Sequence, residues 1–381
     1  MRFDTRLIHA GDPVDSATGA VNPPIYLSST FVQRAPGVDR GFVYGRTGNP
    51  TRAVLERTLS ALEGGRRGLA FSSGLGALAT LLEDLPSGAR IVANDDLYGG
   101  TWRLFDHHAR QFGLQVEFLD LTVADRLSTA LERAPAHLVY VETPTNPMMR
   151  LVDLEAVARI ARRFGSRLVV DNTFASPALQ RPIERGADLV LHSTTKYLGG
   201  HSDLIGGALV ARSRRWGERL AWLQNAVGAV PSPVDCFLAL RGIRTLGVRM
   251  RAHEASARAV AEVLESSRKV RATYYPGLPS HPQHRLARRQ MDGFGGMVSA
   301  ELIGGAGGAR RFLRKLRFFA LAESLGGVES LVEHPASMTH LSVPAEIRRQ
   351  RGITEGLVRL SCGIEDPADL ADDVRRALVQ V

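Results

Sequence analysis

The sequence predicts an α/β protein with a mostly parallel sheet, preceded by an extended arm and followed by a smaller α+β unit. From residue 68 to 211, short apolar runs alternate with helical patterns, which is typical of a parallel sheet with helices on both faces. From about residue 249 this alternation gives way to a mixed pattern. Residues 1–46 are irregular and contain Gly11, Pro13, Pro23 and Pro24. We therefore predict an arm over 1–46, a large domain over 47–248 and a small domain over 249–381.

Composition and charge exclude several classes of function. Hydrophobic residues make up 44% and charged residues 23% of the chain, as in ordinary globular proteins. The net charge of +9 is spread along the chain, and its densest cluster, at 310–319, has the spacing of an amphipathic helix packed on a sheet. No motif combining aromatic and basic residues accompanies it, so a nucleic-acid partner is not expected.

The location of the protein is predicted from what the sequence lacks. No apolar run approaches the roughly 20 residues that span a bilayer, and the polar N-terminus does not resemble a signal peptide. A cytoplasmic protein without a membrane partner is therefore expected. The two cysteines, Cys236 and Cys362, provide neither a disulfide framework nor a metal site with four ligands, and both suit a reducing compartment.

The first regular element follows a polar turn that holds Tyr44 and Arg46. Asn49 and Pro50 then begin an amphipathic helix that ends at Gly64. In most proteins a phenol and a guanidinium beside a turn would be surface residues. The pattern alone therefore does not assign them a function.

Next, a short apolar strand leads through Ser73, Gly74 and Leu75 into a helix. Glycine lets the backbone approach an anion closely, and a helix N-terminus offers unpaired N–H groups, although many α/β proteins place glycine there only to tighten a loop. The following strand ends in a polar turn with Tyr98. Such a tyrosine is most often half-buried packing.

A further strand carries Glu142 and Asn146 at its carboxyl end, where Glu142 is expected to brace the loop. A helix over 153–164 follows. Later helices break at Pro231–Pro233, and their last part is predicted to link the two domains. The final unit places Glu323 and Ser324 on a loop and Arg359 in an apolar strand. Because a buried arginine needs a partner, an internal carboxylate is one explanation for Arg359.

The central segment is 167–203, in which two apolar runs end near Asp171 and Lys196. Only three lysines occur in the chain, and Lys269 and Lys315 lie in arginine-rich helical surroundings. A lone lysine after a strand can be a solvated loop charge. However, parallel strands place their carboxyl ends at one edge, where open α/β sheets bind ligands. A carboxylate and an amine meeting there match the needs of pyridoxal phosphate, namely a lysine that condenses with the aldehyde and an acid that keeps the pyridine nitrogen protonated.

This segment resembles the lysine signature of the Cys/Met-metabolism family of pyridoxal-phosphate enzymes, the trans-sulfuration group of fold type I. The likeness extends from about residue 3 to the C-terminus. The resemblance implies catalytic roles for Lys196, Tyr98 and Asp171. It implies that the cofactor, pyridoxal 5'-phosphate, is bound by Tyr44, Arg46, Ser73, Gly74, Leu75, Tyr98, Asn146, Asp171, Thr173, Ser193, Thr195 and Lys196.

The resemblance also implies how substrate and subunits are arranged. The substrate would contact Asn146, Glu323, Ser324 and Arg359, with Arg359 gripping its α-carboxylate. Tyr44 and Arg46 would reach the cofactor phosphate of a neighbouring subunit, so a homo-oligomer is expected, a tetramer built from two dimers.

Within the family, the residue sequences of the matching segments favour a cystathionine γ-lyase acting on cystathionine or related sulfur amino acids. A cystathionine γ-synthase is the main alternative, followed by methionine γ-lyase and cystathionine β-lyase. Position 43, before Tyr44, is often acidic in the first two enzymes but is Val43 here, whereas Glu323 is present. Gly100 replaces the cysteine typical of methionine γ-lyase, which disfavours that activity.

Overall fold

The computed structural model describes residues 1–11, 14–15 and 17–381. Pro13, part of the predicted arm, lies outside the described residues. The helices that precede and surround the first sheet are α1 (Phe3–His9), α2 (Pro50–Glu63), α3 (Gly74–Leu82), α4 (Gly99–Phe112), α5 (Ala124–Arg133), α6 (Leu154–Arg163), α7 (Ser176–Leu179), α8 (Arg214–Val227), α9 (Pro233–Arg244) and α10 (Leu246–Ser266). A short 3₁₀ helix covers Pro182–Arg185.

The first sheet has seven strands in the order β1-β7-β6-β5-β4-β2-β3. Strand β7 is antiparallel to both of its neighbours, and the run from β6 to β3 is parallel. The predicted mostly parallel sheet is therefore confirmed. The strands are β1 (Arg67–Phe71), β2 (Arg90–Asn94), β3 (Gln115–Leu119), β4 (Leu138–Glu142), β5 (Arg167–Asp171), β6 (Leu189–Ser193) and β7 (Gly207–Ala211).

This sheet is buried on both faces. Alternate side chains of a strand point to opposite sides, and an apolar cluster covers each side. Val169 of β5 belongs to one apolar cluster, while its neighbours Leu168 and Val170 belong to another on the opposite face. The same alternation separates Leu191 of β6 from Val190. The near-continuous apolar runs in the sequence thus become central strands whose polar ends emerge at one edge.

The second sheet has five strands in the order β10-β11-β12-β9-β8, and only the β10–β11 pair is parallel. Its strands are β8 (Val270–Tyr274), β9 (Met297–Leu302), β10 (Ala320–Leu321), β11 (Leu331–Glu333) and β12 (Leu357–Ser361). The accompanying helices are α11 (His284–Gln290), α12 (Gly305–Lys315), α13 (Ala345–Gln350) and α14 (Pro367–Leu378), with a 3₁₀ helix at Pro335–Ser337.

Helix α10 belongs to both halves of the chain. Leu246 and Met250 pack in the core beneath the first sheet, whereas Val260 and Leu264 pack in the core of the second. The division predicted between residues 248 and 249 falls inside this helix. Within the described residues, no helix combines the length and apolarity needed to cross a membrane.

Local sequence signals explain where most elements begin and end, with two differences. Asn49 caps α2 by accepting the N–H groups of Thr51 and Arg52, and Gly64 ends the helix in the left-handed region. The arm was predicted to be irregular, but Phe3–His9 is helical and its Leu7 is buried. The basic cluster at 310–319 is helical only as far as Lys315, and Phe319 is buried beyond it.

Candidate active site

A cavity of about 300 Å³ lies at the carboxyl ends of β4, β5 and β6, and residues of the second sheet and its loops form the opposite wall. It contains every predicted site residue except Tyr44 and Arg46. The predicted residues that line it are Ser73, Gly74, Leu75, Tyr98, Asn146, Asp171, Thr173, Ser193, Thr195, Lys196, Glu323, Ser324 and Arg359.

Asp171 ends β5 at the floor of the cavity and is only 9% exposed. The Thr173 N–H donates to one carboxylate oxygen at 3.0 Å, and the Tyr140 hydroxyl lies 3.3 Å from the other. Burial raises the pKa of Asp171, while these donors oppose the rise. A cation brought against this carboxylate would favour its ionised form. The site is therefore suited to a protonated ring nitrogen.

Lys196 lies in the turn that follows β6, the strand that pairs with β5. Its Nζ is 2.7 Å from Oγ of Ser324, on the far wall of the cavity. Burial lowers the pKa of Lys196 to about 8, and the positive charge of Arg359 acts in the same direction. A substantial fraction of this amine is therefore neutral near physiological pH, as a nucleophile or a general base requires.

The side of the cavity nearest α3 offers hydrogen-bond donors that suit an anion. The Ser73 hydroxyl caps α3 by accepting the Gly76 N–H at 2.9 Å. The first N–H groups of a helix have no partner within it, so those of Gly74 and Leu75 can bind a ligand. The Ser193 and Thr195 side chains line the same cavity, and Thr195 Oγ1 accepts the Gly206 N–H at 3.0 Å. The combination of a helix N-terminus and hydroxyl groups suits a phosphate.

Glu142 braces two loops of the cavity with a single carboxylate. One oxygen accepts the Tyr98 N–H at 2.9 Å and the other accepts the Asn146 N–H at 3.0 Å. The residue is buried, and burial together with the nearby Asp171 carboxylate raises its pKa well above the usual range. The expectation that Glu142 braces its loop agrees with these contacts.

Tyr98 extends into the cavity from the turn before α4, and burial raises the pKa of its phenol. The ring lies directly over Gly100, because a Cβ at position 100 would be 2.4 Å from Tyr98 Cε1. A side chain at position 100 would therefore displace the ring. The glycine noted in the sequence thus has a structural role in placing Tyr98.

Arg359 of β12 is buried and makes contacts to both halves of the chain. Its guanidinium forms an ion pair with Glu333 at 3.0 Å and donates to Oδ1 of Asn146 at 2.7 Å and to the Ser324 carbonyl at 2.9 Å. Glu333 is the internal carboxylate partner that a buried arginine was expected to need. Arg359 also lines the cavity, so the ion pair and a role toward a ligand are compatible.

Tyr44 and Arg46 lie outside the cavity within this chain. Tyr44 is 46% exposed, and the Arg46 guanidinium is 5.7 Å from the centre of its ring. Arg46 donates to the carbonyl and side-chain oxygen of Asn225. Within a single subunit, neither residue therefore contributes to the site described above.

Several lining residues were not predicted. Tyr140 is two positions before Glu142 on β4, so period-two alternation places it on the same face, and this signal was present in the sequence. By contrast, no local pattern marks Thr339 or Glu333, which reach the site from the second sheet and its loops. The unpredicted lining residues are Leu78, Thr101, Tyr140, Phe174, Leu191, Leu325 and Thr339.

Comparisons with known proteins decide the family. The sequence model described as "Cys/Met metabolism PLP-dependent enzyme" matches residues 4–379. The chain belongs to this family. It is therefore an enzyme, and its cofactor is pyridoxal 5'-phosphate.

The similar proteins carry three different activities. The chain is 50% identical over 378 residues to a cystathionine gamma-lyase of Dictyostelium discoideum, covering 99% of this chain and 97% of that one. It is 49% identical to a cystathionine beta-lyase of Coxiella burnetii, with the same coverage. A crystal structure of cystathionine gamma synthase from Xanthomonas oryzae pv. oryzae, in complex with aminoacrylate and cysteine, matches with a TM-score of 0.97 and 50% identity, covering 100% of this chain and 98% of that one. The enzyme thus belongs to the trans-sulfuration group, in which it shares its fold with lyases and synthases alike.

Proposed function

We propose that this enzyme is a cystathionine γ-lyase, which cleaves L-cystathionine by α,γ-elimination to cysteine, 2-oxobutanoate and ammonia. The observation that supports this most directly is the placement of the Lys196 amine, 2.7 Å from Ser324 and with its pKa lowered to about 8. Elimination at Cγ needs a base that removes protons from Cα and Cβ in turn. An amine of this pKa, close to both walls of the cavity, can serve at both carbons.

The cavity fits the cofactor at both of its polar ends. Asp171 offers a buried carboxylate for the pyridine nitrogen, and the start of α3 with Ser193 and Thr195 offers donors for the phosphate. Lys196 supplies the amine for the aldehyde carbon, Asn146 a side-chain amide for the phenolic oxygen, and Tyr98 a ring to cover the pyridine face. When bound, the cofactor supplies an electron sink that stabilises negative charge at the substrate Cα.

The substrate side of the cavity is charged in a way that suits an amino acid with a second polar end. The buried Arg359 guanidinium can bind an α-carboxylate with Asn146 beside it, because a planar fork of donors matches two carboxylate oxygens. Glu323 is exposed at the cavity and can receive the distal ammonium group of cystathionine. Tyr98 lines the same cavity, and its side chain, once ionised, can accept a proton from the incoming amino group.

A γ-synthase, which would join cysteine to an O-acylated homoserine, is the second candidate. It is favoured by the 50% identity to a synthase structure, against 42% to a γ-lyase structure that has the same TM-score of 0.97. Both reactions remove the same protons and expel a group from Cγ, and they differ in whether a thiol then adds. Val43, at a position that is often acidic, weakens recognition of cystathionine and thereby widens the range of thioethers the site would accept.

One assay with product identification separates the candidates. The purified enzyme is given cystathionine alone, and then an O-acylated homoserine with cysteine. Cysteine and 2-oxobutanoate from cystathionine support the γ-lyase, whereas homocysteine and pyruvate would indicate β-elimination. If turnover occurs only with the second pair, the enzyme is a synthase and the proposal is wrong. Methanethiol release from methionine tests the methionine γ-lyase alternative in the same series.

We further propose that Tyr44 and Arg46 complete the cavity of a second subunit. Both are exposed and outside their own cavity, and the arm around them exposes apolar side chains, among them Leu27 at 73% and Val32 at 84%. Exposed apolar residues at this density are characteristic of a surface that another chain covers. A size measurement that gave an active monomer would contradict this assembly.

A further inference from the structure

Tyr197 follows Lys196 directly, but its side chain is buried away from the cavity and is 1% exposed. We propose that Tyr197 is a positioning residue that holds the loop carrying Glu323 and Ser324 against the turn carrying Lys196. This inference rests on the proposed function, since the loop matters only if it binds the substrate. It assigns a task to a residue that does not itself line the cavity.

The contact with the loop is made through Gly326. A Cβ built on Gly326 would lie 2.7 Å from Tyr197 N and 3.0 Å from Cγ of its ring, so the loop backbone rests directly on the tyrosine. Gly326 also has φ +76°, a region that side chains disfavour. Its N–H donates to Oγ of Ser361 at 3.0 Å. Two residues after Ser324, the loop is therefore packed on Tyr197 and bonded to β12.

Tyr197 is fixed from its other sides by α10 and the second sheet. The His253 ring meets the Tyr197 ring edge-on at 5.1 Å between centroids. Arg249, one helical turn earlier and 3% exposed, donates to the Tyr197 carbonyl at 2.8 Å and to the Gly242 carbonyl at 2.7 Å. A Cβ at Gly296, the residue before β9, would lie 2.8 Å from the Tyr197 hydroxyl oxygen. The ring is therefore packed between α10, Gly296 and the loop at Gly326.

The loop needs the contact with Tyr197 for two reasons. Its backbone is strained at Ser324, and its hydrogen bond to Lys196 exists only while the amine is free to make it. Ser324 has φ 107°, a strained conformation for a residue with a side chain, which persists only when its surroundings hold it. The hydrogen bond from Lys196 Nζ to Ser324 Oγ is lost whenever the amine is engaged elsewhere. The contact between Tyr197 and Gly326 does not depend on the amine. It can therefore hold Ser324, and with it the Arg359 bond to the Ser324 carbonyl, throughout a reaction.

The ring rather than the hydroxyl should carry this role. Among the described residues, the buried Tyr197 hydroxyl makes no hydrogen bond of good geometry, and the Gly296 backbone is the polar group beside it. Removing an unpaired buried polar group is neutral or stabilising, whereas removing the ring leaves a gap under Gly326. Tyr197→Phe is thus the conservative variant, and Tyr197→Leu is the disruptive one.

The test compares Tyr197→Leu with Phe312→Leu, a fully buried aromatic residue of α12 remote from the cavity. Hydrogen exchange is followed in the peptide covering 322–328 of the enzyme with bound cofactor and no substrate. We expect exchange about tenfold faster in Tyr197→Leu, a KM for cystathionine raised about tenfold and a kcat within about threefold of wild type. Phe312→Leu should lose stability without these changes, and Tyr197→Phe should match the wild type.

Each outcome decides the proposal. Exchange and KM in Tyr197→Leu that equal those of Phe312→Leu would overturn it, as would a Tyr197→Phe variant as impaired as Tyr197→Leu. If Tyr197→Leu does not fold, Tyr197→Met takes its place, because it also removes the ring under Gly326 while keeping more of the buried volume, and it should raise KM likewise. A wild type that fails to cleave cystathionine contradicts the proposed function, but the exchange result still tests the role of Tyr197.

Discussion

Asp171 is predicted to bind the cofactor of its own subunit and Arg46 that of a neighbouring subunit, and the surroundings of the two residues differ sharply. Asp171 is buried at the end of a central strand, with a donor on each carboxylate oxygen. Arg46 is exposed on the arm and donates to Asn225, outside its own cavity. The edge of the first sheet is thus preorganised within one chain, whereas the arm has a surface that only a second subunit could turn into part of a site.

The largest effect is expected at the preorganised edge. Lys196→Ala should abolish both turnover and the absorbance band of the lysine-bound cofactor, because no other amine lines the cavity among the described residues. Absorbance spectra and product assays of the purified variant test this. Lys315→Ala, which removes an exposed lysine, is the matched control and should leave both unchanged. Full activity in Lys196→Ala would remove the proposed catalyst.

The arm is tested by mixing subunits. Arg46→Ala should lower cofactor affinity and activity strongly if it binds the phosphate of a partner. When Arg46→Ala and Lys196→Ala subunits are mixed randomly, half of the dimers are mixed and each has one intact site, so about one quarter of wild-type activity should return. Activity is measured after the two proteins are unfolded and refolded together. No recovery would mean that Arg46 acts within its own subunit or not at all.

A smaller, graded effect concerns pH. Because the pKa of Lys196 is lowered to about 8, the neutral amine that attacks the cofactor aldehyde declines below that pH. The rate at which the cofactor-free enzyme captures pyridoxal phosphate should therefore rise about tenfold per pH unit below pH 8 and level off above it. Stopped-flow absorbance measures this rate, with the cofactor's own titration subtracted using a free amine. A profile that keeps rising to pH 10 would show an unperturbed lysine.

The smallest effect is expected on the stability of the protein, at the buried Asp96 beneath the turn that carries Tyr98. Asp96 is buried beneath this turn, bonded to the Thr145 hydroxyl, and burial raises its pKa to about 6. A raised pKa means that the folded state binds more protons than the unfolded state between pH 3.8 and about 6, so stability falls as pH rises through this range. Asp96→Asn should be stabilising, by about 1 kcal/mol more at pH 8 than at pH 5. Urea unfolding at both pH values checks this, and an equal effect at both would contradict it.

The edge of the first sheet and the arm also differ in how much of their structure could be predicted from the sequence. Asp171 and Lys196 could be found because apolar runs bury strands and the carboxyl ends of parallel strands share an edge, a rule that needs no knowledge of distant residues. Tyr140 was accessible through the same alternation. The helix Phe3–His9 was missed because its stability comes from packing on α2, α9 and α10, through contacts that local propensity does not encode.

The sequence by itself determined the alternation of strands and helices, the caps of α2 and the polar residues at strand ends, because these depend on side-chain periodicity and local hydrogen bonding. Only the tertiary structure decided that Glu333 pairs with Arg359, that Ser324 reaches Lys196, and that Tyr197 lies under Gly326. These contacts join residues far apart in the chain. Their distances follow from how the two sheets are held together by α10, which no local pattern specifies.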